Sequence, residues 1–266
     1  MPINHNDTPI VLTISGHDPS GGAGVMADAE AISHHGCHPC SILTCLTVQD
    51  STTVHKLSPL DADGIVEQAN VLFNDMPIAA IKIGLTGSVE CVSAIVNILS
   101  QHPNIPVIFD PVLACGDGTP LANKPLVNTL VNDLLPLVTV LTPNTLEAST
   151  LSGLSDASPI KDMAIKLLQT DVDYVLITGG HTTDVDISNH LFHKNQCIQT
   201  KNWARQAGEY HGTGCTLASA IAALIAKGLN IEEAVGQAQS YTDNAIRTAQ
   251  IVGKGQAFPN RLQKIS

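Results

Sequence analysis

Short apolar runs rich in β-branched residues alternate with longer amphipathic stretches along most of this chain, and this alternation constrains the fold more than any other feature. The runs predict strands at 10–14, 41–47, 78–83, 106–109, 138–142, 173–178 and 187–192. The stretches predict helices at 24–35, 61–75, 88–100, 122–134, 144–152, 158–170, 214–227 and 231–248. Such an order requires a mainly parallel sheet covered by helices on both faces, and ligands in such folds bind beyond the carboxyl ends of the strands.

The length and the net charge of the chain limit the number of domains and the classes of partner that we expect. Its 266 residues show no composition break, linker or internal repeat, so we expect one α/β domain over 1–266, with residues 1–8 as a loose polar tail. A net charge of −11 argues against general nucleic-acid binding, and no apolar run approaches the length that crosses a bilayer. The seven scattered cysteines fit reduced thiols. We therefore expect a cytoplasmic protein that binds neither nucleic acid nor membranes.

The turn Gly212-Thr213-Gly214-Cys215 is the first candidate functional site. Its two glycines bring backbone N–H groups together before an apolar helical pattern, and the unpaired N–H groups and the dipole of a helix N-terminus attract an anion. Cys215 lies in the same turn, where a thiolate would be stabilised and could act as a base or nucleophile. The alternative is a glycine loop that opens a core helix with a buried thiol. The motif alone favours neither interpretation.

Glycine-rich and polar residues follow the first two predicted strands. Residues 15–24 contain several glycines, which let the backbone approach a ligand closely, but they lack the G-x-G-x-x-G pattern of a dinucleotide fold. Gln49 follows the second strand, and its amide could read the edge of an aminopyrimidine ring. The structural alternative is that Gln49 caps backbone groups at the strand end. Both stretches are expected at the same edge of the sheet.

Charged and amide side chains follow the next predicted strands. Lys82 ends the third strand, where it could meet a substrate or phosphate or extend from the surface. Asp110 ends an apolar strand, and Asn144 and Glu147 share the first turn of a helix at i, i+3. Such oxygen ligands suit Mg²⁺, which keeps several waters and bridges to phosphates. A helix capping box has the same spacing as Asn144 and Glu147, so both interpretations stay open.

A set of short motifs occurs in one order between residue 10 and about residue 245. The motifs are Ser15-Gly16-His17-Asp18, 21–25, 42–51, Lys82-Ile83-Gly84, Asp110-Pro111-Val112, Thr142-Pro143-Asn144 with Glu147, Gly179-Gly180-His181 and 211–216. Together they resemble the hydroxymethylpyrimidine/phosphomethylpyrimidine kinases of thiamine biosynthesis, within the ribokinase-like superfamily. Sugar kinases of that superfamily usually carry aspartate at the position of Cys215, whereas its vitamin kinases can carry cysteine.

The resemblance implies a three-layer α/β/α kinase that uses ATP and Mg²⁺ to phosphorylate 4-amino-5-hydroxymethyl-2-methylpyrimidine and then its monophosphate. It implies an anion hole for the γ-phosphoryl group at Gly212, Thr213 and Gly214, and a catalytic base at Cys215. The implied substrate-binding residues are Gln49, Gly16, Asp18, Ala23, Val48, Lys82 and Leu85. The implied ATP- and phosphate-binding residues are Asp110, Asn144, Glu147, Thr178 and Gly180, with Asp110 and Glu147 holding Mg²⁺ through water. The resemblance also implies a homodimer.

Some positions depart from the pattern of the resembled family. Thr178 stands where the family usually has a lysine before Gly-Gly-His, and Ala114-Cys115-Gly116 replaces a Lys-Ser-Gly. Leu85 replaces the methionine after Lys-x-Gly. Because two cations near the phosphates are absent from these positions, we expect the second phosphorylation to be affected more than the first. The departures also leave open a pyridoxal or pyridoxine kinase of the same fold, or a non-catalytic heterocycle-binding regulatory protein.

Overall fold

The computed structural model describes residues 8–115, 118–179 and 186–263, in which strands and helices alternate as predicted. The strands are β1 (Ile10–His17), β2 (His38–Gln49), β3 (Val54–Pro59), β4 (Ile78–Ile83), β5 (Val107–Phe109), β6 (Val140–Leu141), β7 (Tyr174–Ile177), β8 (Asp186–His193) and β9 (Gln196–Ala204). The helices are α1 (Gly24–His34), α2 (Ala62–Asp75), α3 (Val89–Gln101), α4 (Lys124–Thr129), α5 (Thr145–Ser152), α6 (Ile160–Leu168), α7 (Thr213–Ala226) and α8 (Ile231–Arg247). Of the predicted N-terminal tail, residues 1–7 lie outside the described residues.

The strands form a nine-stranded sheet in the order β3-β2-β1-β4-β5-β6-β7-β8-β9. The neighbours from β2 to β7 pair in parallel, whereas β3, β8 and β9 pair antiparallel at the two edges. The order reverses around β1, because β2 lies on one side of it and β4 on the other. Reversal points of this kind open a crevice beyond the carboxyl ends of the strands.

Both faces of the sheet are covered by helices, and successive residues on each strand point to opposite faces. Leu12 and Phe109 face a core that includes residues of α2, α3, α4, α5 and α6. Their neighbours Val11 and Ile108 face a second core with α1, α7 and α8. The predicted α/β/α fold class, with its mainly parallel sheet, is confirmed.

The edge strands β3 and β9 were not predicted from the sequence because they lack an apolar pattern. β3 and β9 consist of partly and fully exposed residues, so neither presents the buried run on which strand prediction depends. The helix expected at 122–134 is interrupted, since α4 passes into a π-helical turn at Leu130–Leu134. Every helix within the described ranges falls short of the length and apolarity that a membrane span needs.

A buried ion pair joins the sheet to the layer formed by α1, α7 and α8. Lys82 on β4 and Asp28 on α1 are both fully buried, and the Lys82 Nζ lies 2.7 Å from the Asp28 Oδ1. The hydroxyls of Thr13 on β1 and Ser219 on α7 donate to the same carboxylate at 2.5 Å and 2.8 Å. Burial alone would lower the pKa of Lys82, but the adjacent Asp28 carboxylate raises it, so the ammonium stays charged. The cluster links four elements beneath the start of α7.

Lys82→Met is expected to destabilise the protein by ~3–5 kcal/mol, because it leaves the Asp28 carboxylate buried without a counter-charge. The double variant Lys82→Met/Asp28→Asn removes both charges and should regain most of that loss. Urea unfolding of the two variants and of Lys166→Met, which removes an exposed lysine on α6, measures the difference. A Lys82→Met protein as stable as the wild type would contradict the expectation.

Candidate active site

A cavity of about 680 Å³ opens at the carboxyl ends of the strands, where the sheet order reverses. On one side it is lined by residues of β1, β2 and the loops that follow β1 and β4, including Gly16, Asp18, Gln49 and Leu85. On the other side it is lined by residues of β8, β9 and α8 and of the segments after β6 and β7. The residues 212–215 at the start of α7 also line it, and α7 packs on the central strands β1, β4 and β5. The start of this helix therefore separates two halves of the cavity.

The N-terminus of α7 is built to accept an anion. Gly212 is its N-cap residue in the left-handed region, with φ 81°, and as a glycine it has no side chain that could cap the first turn. A Cβ at Gly212 would collide with the carbonyl oxygen of Gly22, so glycine is required there for close approach as well as for φ. The first amides of α7 and the helix dipole are thus left to a ligand. The sequence predicted this turn from its two glycines.

Cys215 lines the cavity at the first turn of α7 and is 7% exposed. Burial, together with the carboxylates of Asp110 and Asp28, raises the pKa of its thiol to about 12 against the opposing effects of Lys82 and the Gly24 backbone N–H. The group is therefore a thiol in this state. The expected stabilisation of a thiolate in this turn was wrong, because the effects of burial and of two nearby carboxylates exceed that of the helix N-terminus.

Asp110 follows β5 and lines the same part of the cavity. It is 5% exposed, and its Oδ2 has no hydrogen-bond partner among the described residues. A Cβ built on Gly214 would lie 3.1 Å from the Asp110 Oδ1, so the carboxylate stands directly against the start of α7. Burial raises the pKa of Asp110, which Lys82 partly offsets. A buried carboxylate oxygen without a partner calls for a cation or a donor from a ligand.

Asn144 and Glu147 form the capping box that was one of the two interpretations open from the sequence. The Asn144 Oδ1 accepts hydrogen bonds from the amides of Leu146 and Glu147, both at 2.9 Å, and the Asn144 amide donates to the Glu147 Oε2 at 2.9 Å. Both residues also line the cavity. Burial, and secondly the charge of Asp110, raises the pKa of Glu147 to about 8. The capping role and a ligand-binding role are therefore compatible in the same two residues.

The acidic residues fit Mg²⁺ better than a metal that needs several protein ligands. Within the described part of the chain, no group of three or more His, Cys, Asp or Glu residues could hold a metal ion. Asp110 and Glu147 nevertheless approach each other closely enough to raise the pKa of Glu147. Mg²⁺ usually takes one or two carboxylates and completes its coordination with water and substrate phosphates. The two carboxylates therefore fit a metal that arrives with a nucleotide.

Asp18 and His211 connect the loop after β1 to the turn before α7. The His211 Nε2 lies 2.8 Å from the Asp18 Oδ2, and the Ala23 amide donates to the same carboxylate oxygen at 2.9 Å. Burial opposes ionisation of Asp18, but hydrogen bonds from His211 and Ser20 lower its pKa overall. Asp18 therefore stays charged and organises the loop in which Ala23 lies. His211 belongs to the glycine motif of the sequence, but its pairing with Asp18, 193 residues away, was not predicted.

Most of the other expected substrate residues lie at the cavity. Gly16, Ala23, Gln49 and Leu85 line it, as does Ser15, which was not predicted as a binding residue. The buried Ser15 Oγ has no hydrogen-bond partner among the described residues.

Lys82 and Val48 lie away from the cavity, which corrects their expected contact with a ligand. Lys82 is fully buried in its ion pair with Asp28. Val48 is 57% exposed, because neighbouring residues of a strand point to opposite faces and Gln49 takes the face towards the cavity.

The nucleotide-side residues expected from the sequence are partly brought together. Asn144 and Thr178 form a parallel bridge, with the Thr178 amide donating to the carbonyl of Pro143 at 3.0 Å, and both line the cavity. Gly180 lies outside the described residues. The predicted phosphate-side residues therefore lie in neighbouring segments, except for Gly180.

A hydrogen-bonded chain on the same side was not predicted. The Gln239 Oε1 accepts from the Trp203 Nε1 at 3.2 Å and from the Asn189 Nδ2 at 3.0 Å, and the Asn189 Oδ1 accepts from the Gly179 amide at 3.1 Å. Trp203, Asn189 and Gln239 all line the cavity. Because β9 was not predicted as a strand, Trp203 could not be placed from the sequence.

Comparison with known proteins identifies several relatives. Residues 18–260 match the family described as phosphomethylpyrimidine kinase. A hydroxymethylpyrimidine/phosphomethylpyrimidine kinase of Staphylococcus aureus (strain MSSA476) is 35% identical over 255 residues, which cover 94% of this chain and 92% of the relative. The crystal structure of phosphomethylpyrimidine kinase from Clostridium difficile 630 is 32% identical, with a TM-score of 0.78, and the match covers 90% of this chain and 100% of that one.

A pyridoxal kinase is also similar. The crystal structure of an ADP complex of the Bacillus subtilis pyridoxal kinase is 25% identical, with a TM-score of 0.85 and coverage of 96% of this chain and 98% of that one. The likeness to both solved kinases confirms the predicted ribokinase-like fold.

Glu147→Gln is expected to remove part of the pH dependence of stability. The folded carboxyl keeps its proton up to a pKa of about 8, whereas an unfolded glutamate loses it near 4.5. The folded state thus binds more protons between these values, so the free energy of unfolding falls as the pH rises through that window, by ~1–3 kcal/mol. Below a pH of 4.5, the contribution of Glu147 to the free energy of unfolding is fully present.

Urea unfolding at about pH 5 and about pH 8, without divalent cations, measures this fall. Glu147→Gln keeps a side chain that can cap Asn144 and should show a smaller fall than the wild type. Glu67→Gln, which changes an exposed glutamate on α2, should behave as the wild type does. Equal falls in Glu147→Gln and the wild type would overturn the assignment of the proton to Glu147.

Proposed function

The chain belongs to the hydroxymethylpyrimidine/phosphomethylpyrimidine kinase family and is a kinase of thiamine biosynthesis that uses ATP, and from that premise we propose which of its residues carry each part of the reaction. The observation that carries the proposal is the uncapped N-terminus of α7, which stands between the two halves of the cavity with Cys215 in its first turn. The transferring phosphoryl group passes between the halves at this point.

The amides of Thr213 and Gly214, after the N-cap Gly212, bind the γ-phosphoryl oxygens. Helix N-termini hold anions by directed N–H groups and by the dipole, and phosphoryl transfer depends chiefly on positioning and on neutralising charge. The amides act without reorganisation, because the backbone around Gly212 is fixed by its close packing against Gly22. This turn is therefore the anion hole of the reaction.

Cys215 accepts the proton of the attacking hydroxymethyl group. The thiol of Cys215 first gives its proton to solvent; the substrate oxygen then forms a bond to the γ-phosphorus, the bond from that phosphorus to the leaving oxygen of ADP breaks, and the hydroxyl proton passes to the Cys215 thiolate. The raised pKa of the thiol makes the thiolate a strong base but a rare form. The charge of Asp110 is one of the causes that raise this pKa. Neutralising that charge therefore lowers the pKa of Cys215 and increases the fraction of thiolate.

Asp110 and Glu147 would hold Mg²⁺ through water, and Asn144 and Thr178 would bind phosphate oxygens. Mg²⁺, when bound, neutralises charge on the ATP phosphates and on the two carboxylates. The unpartnered Asp110 Oδ2 and the raised pKa of Glu147 support this assignment. Gly180, which lies outside the described residues, is proposed with them from the family resemblance.

The pyrimidine lies on the half of the cavity lined by β1 and β2. Gln49 offers both donors and an acceptor to an aminopyrimidine edge, Gly16 and Ala23 let the backbone approach the ring, and Leu85 packs on its flat face. Asp18 supports this half through the loop that it organises.

Pyridoxal is the second candidate substrate, because the match to the pyridoxal kinase of Bacillus subtilis has a TM-score of 0.85, above the 0.78 of the phosphomethylpyrimidine kinase. Both substrates are flat nitrogen heterocycles with a hydroxymethyl group. A panel of hydroxymethylpyrimidine, its monophosphate, pyridoxal and pyridoxine with purified protein and MgATP distinguishes them.

We further propose that the enzyme is a single-domain cytoplasmic protein. We also propose that it forms a homodimer, which is what its family resemblance implies. Heterocycle binding without ATP turnover would support a regulatory protein instead.

Cys215→Ala should lower kcat by ~10²–10⁴, the usual contribution of a positioned acid or base, while ATP binding and the thermal midpoint stay near those of the wild type. The matched control is Cys197→Ala, which changes an exposed cysteine on β9 and should leave kcat unchanged. Steady-state kinetics, nucleotide titration and thermal unfolding of the three proteins make the comparison. Wild-type turnover by Cys215→Ala would remove the cysteine from the mechanism.

The second phosphorylation should be the weaker step, with a kcat/KM for the monophosphate ~10-fold below that for hydroxymethylpyrimidine, since one missing charged hydrogen bond to a phosphate costs on the order of 1.4 kcal/mol. Thr178→Lys should raise the second step more than the first by returning a cation to the cavity. Thr170→Lys adds a cation at the opposite end of β7 and is the control. Equal efficiency of both steps in the wild type would defeat the hypothesis.

A further inference from the structure

Residues 253–261, which follow α8 and are called here the C-terminal segment, contact three separate parts of the substrate side of the cavity. The first is the turn after β2. The Ser51 carbonyl accepts a hydrogen bond from the Gln256 amide at 2.9 Å, and the Ser51 hydroxyl accepts one from the Gly255 amide at 3.0 Å. Ser51 lies two residues after Gln49, the proposed reader of the pyrimidine edge. The segment therefore fixes the end of the strand that carries Gln49.

The second contact is with the turn before α7. The Ala257 amide donates to the carbonyl of Glu209 at 3.0 Å, and the His211 amide donates to the carbonyl of Ala257 at 3.0 Å. The ring of Phe258 lies 5.8 Å from that of His211. His211 immediately precedes Gly212, so these bonds hold the backbone that leads into the anion hole.

The third contact is made by Arg261, which is 2% exposed. Its Nη2 donates to the carbonyl of Gly22, in the loop after β1, and to that of His211 at 3.5 Å. Its Nε donates to the Thr216 hydroxyl on α7 at 2.7 Å, and its Nη1 lies 3.2 Å from the Glu30 carboxylate on α1. One guanidinium thus bridges the substrate loop, the anion-hole turn and the helices behind them.

We propose that the C-terminal segment is a clasp that aligns the substrate loops with the N-terminus of α7, and that Arg261 is its positioning residue. This inference rests on the proposed function, because it concerns the alignment of a hydroxyl with a phosphoryl group. The planar guanidinium can hold several acceptors in fixed directions, which the ammonium of lysine cannot do. Arg261 is not among the residues that line the cavity, and it acts through Gly22 and His211.

The expected effect follows from the geometry of transfer. A displacement of about 1 Å between reacting groups costs on the order of 100-fold in rate. The acceptors of the guanidinium belong to the substrate loop, to the turn before α7, to α7 and to α1. The nucleotide half of the cavity is lined instead by β8, β9, α8 and the segments after β6 and β7. Loss of Arg261 should therefore damage catalysis and heterocycle binding much more than ATP binding.

The test uses Arg261→Gln and Arg261→Lys in the full chain. For Arg261→Gln we expect kcat/KM for the heterocycle to fall ~10–100-fold, with the KM for ATP within about twofold of the wild type. The kcat/KM of Arg261→Lys for the heterocycle should lie between those of Arg261→Gln and the wild type, because an ammonium can keep one of the hydrogen bonds. Lys166→Gln, which removes an exposed cation on α6, should match the wild type.

A second variant keeps the test decisive if Arg261→Gln folds poorly. Gly255→Ala leaves Arg261 in place but drives a Cβ into the Ser51 carbonyl, so it should lift the segment off the turn after β2. Like Arg261→Gln, this variant should lower kcat/KM for the heterocycle while the KM for ATP stays near that of the wild type. The clasp is overturned if both variants change the two KM values equally, or lose activity only in proportion to the fraction unfolded.

Amide hydrogen exchange separates failure of the clasp from failure of the proposed function. In Arg261→Gln, peptides covering residues 18–24 and 208–213 should exchange faster than in the wild type, whereas a peptide covering 145–152 should not change. If the wild-type protein phosphorylates neither heterocycle, the proposed function fails and the clasp is judged by exchange alone. Unchanged exchange in both substrate-side peptides would overturn the clasp whatever the activity.

Discussion

The balance of charge beneath the start of α7 is the constraint on which the rest of the site depends. The ammonium of Lys82 is buried against the Asp28 carboxylate and also acts on Asp110 and Cys215. Because these groups are buried, their negative charge is disfavoured, and the pKa values of Asp110, Glu147 and Cys215 are all raised. The unliganded cavity is thus suited to a phosphate that brings its own cation, and it disfavours a bare anion.

Much of the site could be predicted because a parallel sheet delivers strand ends to one edge. Asp110, Gln49 and the turn before α7 are all found at the cavity for this reason. Lys82 also lies near the end of a strand. The face of the sheet to which its side chain points, however, depends on the alternation of residues along that strand. Its partner Asp28 is 54 residues away in the sequence, and no local pattern indicates that pairing. The misplacement of Val48 was avoidable, since the neighbour of an inward residue on a strand faces outward.

The parts that could not be predicted are those that depend on distant partners or on polar strands. The contact between His211 and Asp18 spans 193 residues, and that between Arg261 and Gly22 spans 239. The edge strand β9, which places Trp203 on the cavity, has no buried run. The acidity of Cys215 was wrongly predicted for a related reason, because a sequence does not indicate which carboxylates lie near a thiol in the folded state.

The order in which the chain is synthesised gives the C-terminal segment a further consequence. The sheet, both cores and α7 can form from residues that leave the ribosome before residue 253. The hydrogen bonds from Ala257 to the turn before α7, and from Arg261 to Gly22, cannot exist until residues 257–261 have emerged. Under the proposed clasp, a nascent chain that has not yet exposed residues 257–261 can therefore hold nearly all of its fold while the walls of its substrate pocket are still untethered.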